Sequence, residues 1–253
     1  MNDTNISIDE IDRQIQELNK QRRKLTVVNS PREVEITAVM ATYNAWMWLA
    51  RSIFSLEMGA QSLPVDLIIC DNASTDPTGD ILAGEGFKNW MKKRPGINEV
   101  EILDPAPQIE MMEFGTPDHP IQRPFKNSTA RKMHNIDFMM TKLTKHVQTP
   151  FIFYLDADVG APSGCLAAML QKMKERPNLA MLGIRYTWHS NMDHIQLGCN
   201  LARTDVMKKI VDQFDSRQRG CPCRDATMKL KEAGYEVEHF EGWVARHFKH
   251  ENP

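Results

Sequence analysis

The stretch Phe151-Ile152-Phe153-Tyr154-Leu155-Asp156-Ala157-Asp158-Val159 constrains this chain more than any other. Five consecutive apolar or aromatic residues have the composition of a strand buried on both faces. Two carboxylates follow, with one residue between them. An unpaired carboxylate inside a buried strand costs several kcal/mol of desolvation, so this pair belongs at the strand's carboxyl end, facing a crevice and meeting positive charge. In open α/β sheets that crevice is where ligands bind. A divalent cation carrying a diphosphate would satisfy both carboxylates, because hard cations bridge phosphates to oxygen ligands. The competing reading is a strand-to-loop junction with Asp as a turn former, and the rest of the chain decides between them.

The flanking sequence places that strand in an α/β sheet. Glu35 to Asn44 reads as a core strand running into a polar loop, and Trp46, Leu49, Ile53 and Leu56 then follow at helical spacing. Pro64 to Cys70 reads as a second buried strand, closed by the polar turn Asp71 to Asp76. Strand, helix and strand at this spacing make a βαβ unit and imply a parallel sheet. A third strand is predicted over Glu99 to Leu103 and others over Leu179 to Ile184 and from Glu236 onward. Asp104 to Asn127 shows no periodicity and reads as a long functional or disordered connection.

Residues 1–32 read as an appendage, and residues 33–253 as one domain. Ser7-Ile8-Asp9-Glu10 matches a capping box. Ile8, Ile11, Ile15, Leu18 and Leu25 form a narrow apolar seam of an amphipathic helix or coiled coil. A helix this short needs a partner surface, and residues 7–25 are expected to support a homo-oligomer.

Composition removes several classes of function. A net charge of −2 over 253 residues gives no global field to draw in nucleic acid or an anionic membrane. No apolar run is long enough to span a bilayer and the amino terminus is polar. The expected location is the cytoplasm, with peripheral association with a membrane as the alternative. Five cysteines in a chain of this size point to reduced thiols. Cys221-Pro-Cys223 falls short of the usual zinc-knuckle spacing.

Taken in order, these pieces resemble the family-2 glycosyltransferases of the GT-A fold across about residues 34–250. The resemblance rests on Val39-Met40-Ala41-Thr42-Tyr43-Asn44, on Asp71-Asn72-Ala73-Ser74-Thr75-Asp76 and on Ala130-Arg131. It continues with Leu155-Asp156-Ala157-Asp158, with Arg224-Asp225 ahead of Gly234-Tyr235, and with His247. The family usually has Glu-Asp where this chain has Arg224-Asp225. The implied fold is a single GT-A, Rossmann-like α/β domain with a mainly parallel central sheet behind an N-terminal helix, its nucleotide-binding half over about 33–160 and its acceptor half over about 161–253.

The resemblance also implies roles. Ala41, Thr42, Tyr43, Asp71, Arg131, Asp156 and Ala157 would line the nucleotide, with Asp71 reading the uracil imide and Tyr43 stacking on the base. Asp158 and His247, with Asp156, would hold Mn2+ or Mg2+, and an imidazole ligand suits manganese better. Asp225 is the candidate general base, and Trp188, His189 and Arg224 are candidates for the acceptor side. Blander readings stand beside these: an Asx-turn at Asp71, a solvated helix face at Arg131, a surface histidine at His247 and a helix cap at Asp225.

The expected activity is metal-dependent, inverting transfer of a sugar from a nucleotide-diphosphate donor, UDP-linked by preference, to an acceptor hydroxyl. The acceptor is a glycan, a lipid carrier, a protein or a modified nucleobase. One rival is a catalytically silent nucleotide- or glycan-binding protein that oligomerises through its N-terminal helix. The other is a sugar nucleotidyltransferase, which would need a Gly-rich phosphate loop where this chain has Ala41-Thr42-Tyr43-Asn44.

Overall fold

Alternating β-branched and aliphatic residues from Ile36 onward build a strand that is buried along nearly its whole length, and the sheet grows outward from it. The computed structural model describes residues 26–28, 33–72, 74–103, 111–116, 119–124, 140–187, 193–213 and 221–250. Along the chain the strands are β1 (Thr26–Val28), β2 (Ile36–Thr42), β3 (Val65–Asp71), β4 (Ile97–Leu103), β5 (Met111–Thr116), β6 (His119–Pro124), β7 (Phe151–Leu155), β8 (Val159–Gly160), β9 (Leu179–Tyr186), β10 (Cys199–Arg203) and β11 (Glu236–His247). The helices are α1 (Trp46–Ala60), α2 (Thr78–Ala83), α3 (Glu85–Met91), α4 (Cys165–Glu175), α5 (Thr204–Ile210) and α6 (Pro222–Glu232). A further helical stretch covers residues 140–146.

Nine strands are hydrogen-bonded in the order β1-β4-β3-β2-β7-β10-β9-β11-β8. The expected parallel block is present: β4, β3, β2 and β7 run side by side in parallel register. Beyond it the expectation of a mainly parallel sheet fails. β10 pairs antiparallel with both β7 and β9, β11 is parallel to β9, and β8 is antiparallel to β11. The sheet is mixed, because β10 enters between β7 and β9 in the opposite sense. Periodicity cannot reveal that insertion, since a buried strand has the same composition in either direction.

Apolar clusters cover both faces of the sheet. On one face Leu49, Ile53 and Leu56 of α1 pack with Leu166 and Met169 of α4 against β2, β3 and β7. On the other, Met140 and Leu143, Val206 and Met207 of α5 and Leu230 of α6 pack on Val39, Ile68 and Tyr154. A strand pair with both faces covered explains why β7 is fully buried.

Two features fall outside the sequence-based plan. β5 and β6 pair as a hairpin inside the segment expected to be a structureless connection. Prolines at 120 and 124 break the alternation that would have marked the second strand. β1 pairs with β4 at the sheet edge, within the first 32 residues. The seam over residues 7–25 lies outside the described residues, as do Arg131, Trp188 and His189.

Candidate active site

The carboxyl end of β7 is where the chemistry-bearing residues collect. Asp156 is exposed and Asp158 half-buried, each just past the last buried position of the strand. The turn between them and β8 is held from three directions. Asp156 N–H donates to Gly198 C=O at 3.0 Å, and Val159 N–H donates to Asp156 C=O at 3.1 Å. From α1, the buried Ser52 hydroxyl donates to Ala157 C=O at 2.8 Å, and Ala161 N–H donates to Ser55 Oγ at 2.9 Å. Buried peptide groups must be paired somewhere, and here the pairing fixes how the Asp-x-Asp backbone leaves the sheet.

β11 brings His247 alongside this turn. Arg246 pairs with Gly160 and His247 with Val159, and Phe248 N–H donates to Asp158 C=O at 2.8 Å. His247 Nε2 lies 3.7 Å from Asp158 Oδ1. Midway along β11 the register against β9 shifts between His239 and Val244, where Gly242 adopts φ 83. Beyond that bulge the strand pairs with β9 again at Val244 and Ala245, and its last residues pair with β8.

Gly198 and Tyr186 were not singled out by the sequence. A Cβ on Gly198 would stand 2.0 Å from Tyr186 Oη and 2.1 Å from Asp156 Oδ2. Only glycine permits the phenol and the carboxylate to converge there. Tyr186 is buried, and its ring meets His247 edge-on with centroids 5.7 Å apart. Burial first, and the Asp156 charge second, push its hydroxyl well above the usual tyrosine range, so it stays a neutral hydrogen-bond donor. A tyrosine ending a strand carries no sequence signal of such a role.

Asp71 closes β3 and is engaged locally. Thr42 Oγ1 donates to Asp71 Oδ1 at 3.0 Å, and Ser74 N–H donates to Oδ2 at 3.1 Å. Asn44, in the left-handed region at φ 50, staples the two loops together. Its side-chain carbonyl accepts from Thr75 N–H at 2.8 Å and Asp76 N–H at 3.3 Å, and its own N–H donates to Ser74 Oγ at 2.9 Å. Tyr43, beside it, is 49% exposed. Thr42, Tyr43 and Asp71 thus share one rim of the sheet, formed by the adjacent carboxyl ends of β2 and β3.

Asp225 sits in the first turn of α6 and is 1% exposed. Lys229 Nζ, one turn on, lies 3.6 Å from its Oδ1. Arg224 points elsewhere, to Asp193 Oδ2 at 3.3 Å. Separately, a groove of about 700 Å³ lies beside α1, with Arg51, Phe54, Trp90, Arg246 and Phe248 in its wall. Asp156, Asp158 and His247 do not line it.

Asp158 and His247, a carboxylate and an imidazole 3.7 Å apart, are residue types that ligate divalent cations, with Asp156 on the same turn. Among the described residues no three His, Cys, Asp or Glu side chains converge into a complete cage. A cation held here by Asp158 and His247 would take its other ligands from a diphosphate and water, as magnesium and manganese do at nucleotide sites.

No protein-family model and no curated protein sequence matches the chain. Solved structures do match in fold. S. aureus TarS 1–349 in complex with UDP aligns with TM-score 0.54 at 12% identity, over 84% of this chain and 60% of that one. S. aureus TarS itself gives TM-score 0.53 at 12% identity, over 84% of this chain and 36% of that one. The mannosyltransferase PcManGT from Pyrobaculum calidifontis, in complex with GDP-Man and Mn2+, gives 0.58 at 13% identity, over 93% of this chain and 64% of that one. The chain therefore has a GT-A-like glycosyltransferase fold, and it spans less than two thirds of the length of each of these neighbours.

Proposed function

We propose that this chain is a metal-dependent glycosyltransferase that moves a sugar from a nucleotide-diphosphate donor to an acceptor hydroxyl. The observation that carries the reading is the approach of His247 Nε2 to Asp158 Oδ1 at 3.7 Å, made by a bulged strand that crosses to the Asp-x-Asp turn. Core packing alone does not call for a histidine and an aspartate side by side at a sheet's ligand-binding edge. The fold shared with nucleotide-sugar-bound structures supports the same reading.

Asp158 and His247 would hold Mn2+ or Mg2+, whose charge offsets that of the departing diphosphate. Thr42, Tyr43 and Asp71 line the rim assigned to the nucleoside, with Ala41 and Ala157 as backbone contacts. Asp71 accepts the base's imide hydrogen and Tyr43 covers its face, which favours a UDP-linked donor. Asp156, braced by Gly198 and Tyr186, is assigned to the ribose. Asp225 is assigned as the base that takes the acceptor's proton, for transfer with inversion. Its 1% exposure requires the acceptor side of α6 to open toward it, and Lys229 Nζ lies 3.6 Å from its carboxylate. The acceptor remains one of four classes: glycan, lipid carrier, protein or modified nucleobase. Arg131, Trp188 and His189 keep their assignments from the sequence.

Calorimetric titration with UDP, GDP, CDP and dTDP, with and without Mn2+, tests this reading. The expected result is manganese-dependent binding of UDP that is lost in Asp158→Asn. Binding of no nucleotide under either condition would leave the fold without its donor site and favour the silent binding protein.

A further inference from the structure

A second cluster of reactive side chains sits at the start of α6 and is unused by the proposed transfer. Cys221 occupies the N-cap of that helix, and its sulfur accepts from Arg224 N–H at 3.3 Å. His194 Nε2 faces the same sulfur at 3.6 Å. The other ring nitrogen of His194 meets Asp193 Oδ1 at 2.8 Å. An N–H at Nδ1, donating to that carboxylate, leaves Nε2 available to take the thiol proton, which is the order of a cysteine–histidine–aspartate relay. Cys223, two residues on, is half-buried and receives Leu197 N–H at 3.4 Å, and its thiol is near enough to bear on the Cys221 sulfur.

We propose that Cys221 is a peroxide-reactive thiolate and that Cys223 is the thiol that resolves it to an intramolecular disulfide.

Three contacts favour the thiolate at this sulfur, the Cys223 thiol, the helix N-terminus through Arg224 N–H and the His194 ring, while its partial burial works against it. Together, with the Cys223 hydrogen bond as the largest contribution, they bring the Cys221 thiol down to about 6. The same pairing and its own burial push Cys223 well above the usual range, so it remains the proton-bearing partner. The groups facing Cys221 are Cys223, His194 with Asp193 behind it, and Arg224, whose side chain pairs with Asp193 rather than with the sulfur. The remaining cysteines, Cys70, Cys165 and Cys199, are buried in the core, and burial raises the Cys165 thiol to about 12.

The chemistry balances with a hydroperoxide as oxidant. The Cys221 thiolate attacks the terminal oxygen, forming S–O and breaking O–O, and the alkoxide leaves with the proton that His194 took from the thiol. Cys221 is then a sulfenic acid. The Cys223 sulfur attacks it, forming S–S and breaking S–O, and hydroxide departs with the Cys223 proton as water. Two thiols give up two electrons and two protons, and the hydroperoxide becomes an alcohol and water. The disulfide removes the sulfur that caps Arg224 N–H, so oxidation reports directly on the first turn of α6.

The test uses the full chain, freshly reduced and desalted with and without a chelator. Iodoacetamide labelling followed site by site by peptide mass mapping should give Cys221 an alkylation profile with its inflection near 6. At that pH it should react roughly tenfold faster than glutathione, the gain in thiolate being partly offset by the lower nucleophilicity of a weaker base. His194→Asn should move the inflection upward with the melting temperature unchanged. Hydrogen peroxide should yield a Cys221–Cys223 disulfide, and in Cys223→Ser a sulfenic acid that dimedone traps at Cys221. An inflection in the ordinary thiol range, or both thiols still free after peroxide, would overturn the proposal. So would protection of both thiols until chelator is added, which would assign the cluster to a soft metal ion instead. These readouts need no sugar transfer, so they stand or fall separately from the proposed activity.

Discussion

His247 and Asp158 face each other across 3.7 Å because β11, beyond a bulge, resumes its pairing with β9 at Val244 and Ala245 and pairs with β8 through Arg246 and His247. The shift between His239 and Val244 sets the register in which the second half of β11 lies on β9, and with it the position of His247 beside the Asp-x-Asp turn. A site that depends on one bulge makes the contribution of each partner separable by mutation.

Removing the imidazole should weaken the proposed cation site more than the fold. His247→Ala is expected to lower Mn2+-dependent nucleotide affinity at least about tenfold, in the range seen when metal-site neighbours are lost. Because His247 is close to the sheet's last pairing, the melting temperature should fall only slightly. Calorimetry with UDP and Mn2+, alongside a thermal melt, separates the two effects.

Gly198→Ala should damage the site through a residue that has no side chain of its own. Its new methyl would stand 2.0 Å from Tyr186 Oη and 2.1 Å from Asp156 Oδ2, so one of the two must move. Overpacking of this kind costs about 1–3 kcal/mol. Chemical denaturation should show that loss, and nucleotide titration should show weaker binding with Asp158 and His247 unchanged.

Asp225→Asn distinguishes chemistry from binding. If Asp225 takes the acceptor's proton, turnover should fall by roughly 10²–10⁴-fold while nucleotide affinity stays at the wild-type value. Lys229, only 16% exposed, would lose the carboxylate beside it at 3.6 Å, so a loss of stability is expected as well. Lys229→Met on its own should reproduce the stability change without the loss of turnover. Equal turnover in Asp225→Asn and wild type would remove this residue from the mechanism.

Asn44 should behave as the clasp of the nucleoside rim. Asn44→Ala removes the carbonyl that binds Thr75 and Asp76 N–H and places a less tolerant residue at φ 50. A loss of about 1–3 kcal/mol is expected. Asn44→Gly relieves the backbone strain but not the missing bonds, so it should recover only part of the stability. Urea unfolding of both variants measures the split, and UDP titration shows how far Asp71 is displaced.

The parts legible in the sequence are those where one residue type admits few environments. Two charges after a buried strand had to sit at its end, and β7 stops at Leu155 with Asp156 outside. The βαβ unit over β2, α1 and β3 was legible because three consecutive periodicities agreed. The direction of β10 was not, because orientation is set by tertiary pairing rather than by local composition. The hairpin of β5 and β6 was hidden by its prolines. Ser52, Ser55, Gly198 and Tyr186 escaped because their importance lies in what they touch across the sheet, and a hydroxyl that holds a distant carbonyl leaves no trace in spacing.

The route by which His247 reaches Asp158 also fixes a moment in the life of the protein. The two residues are joined by no local contact, and their meeting waits until β9, β10 and β11 have all taken their places. During synthesis the Asp-x-Asp turn can form on β7 long before its histidine exists. The proposed cation-dependent nucleotide binding would therefore be acquired only after β11 is in place, and lost when β11 frays from the sheet.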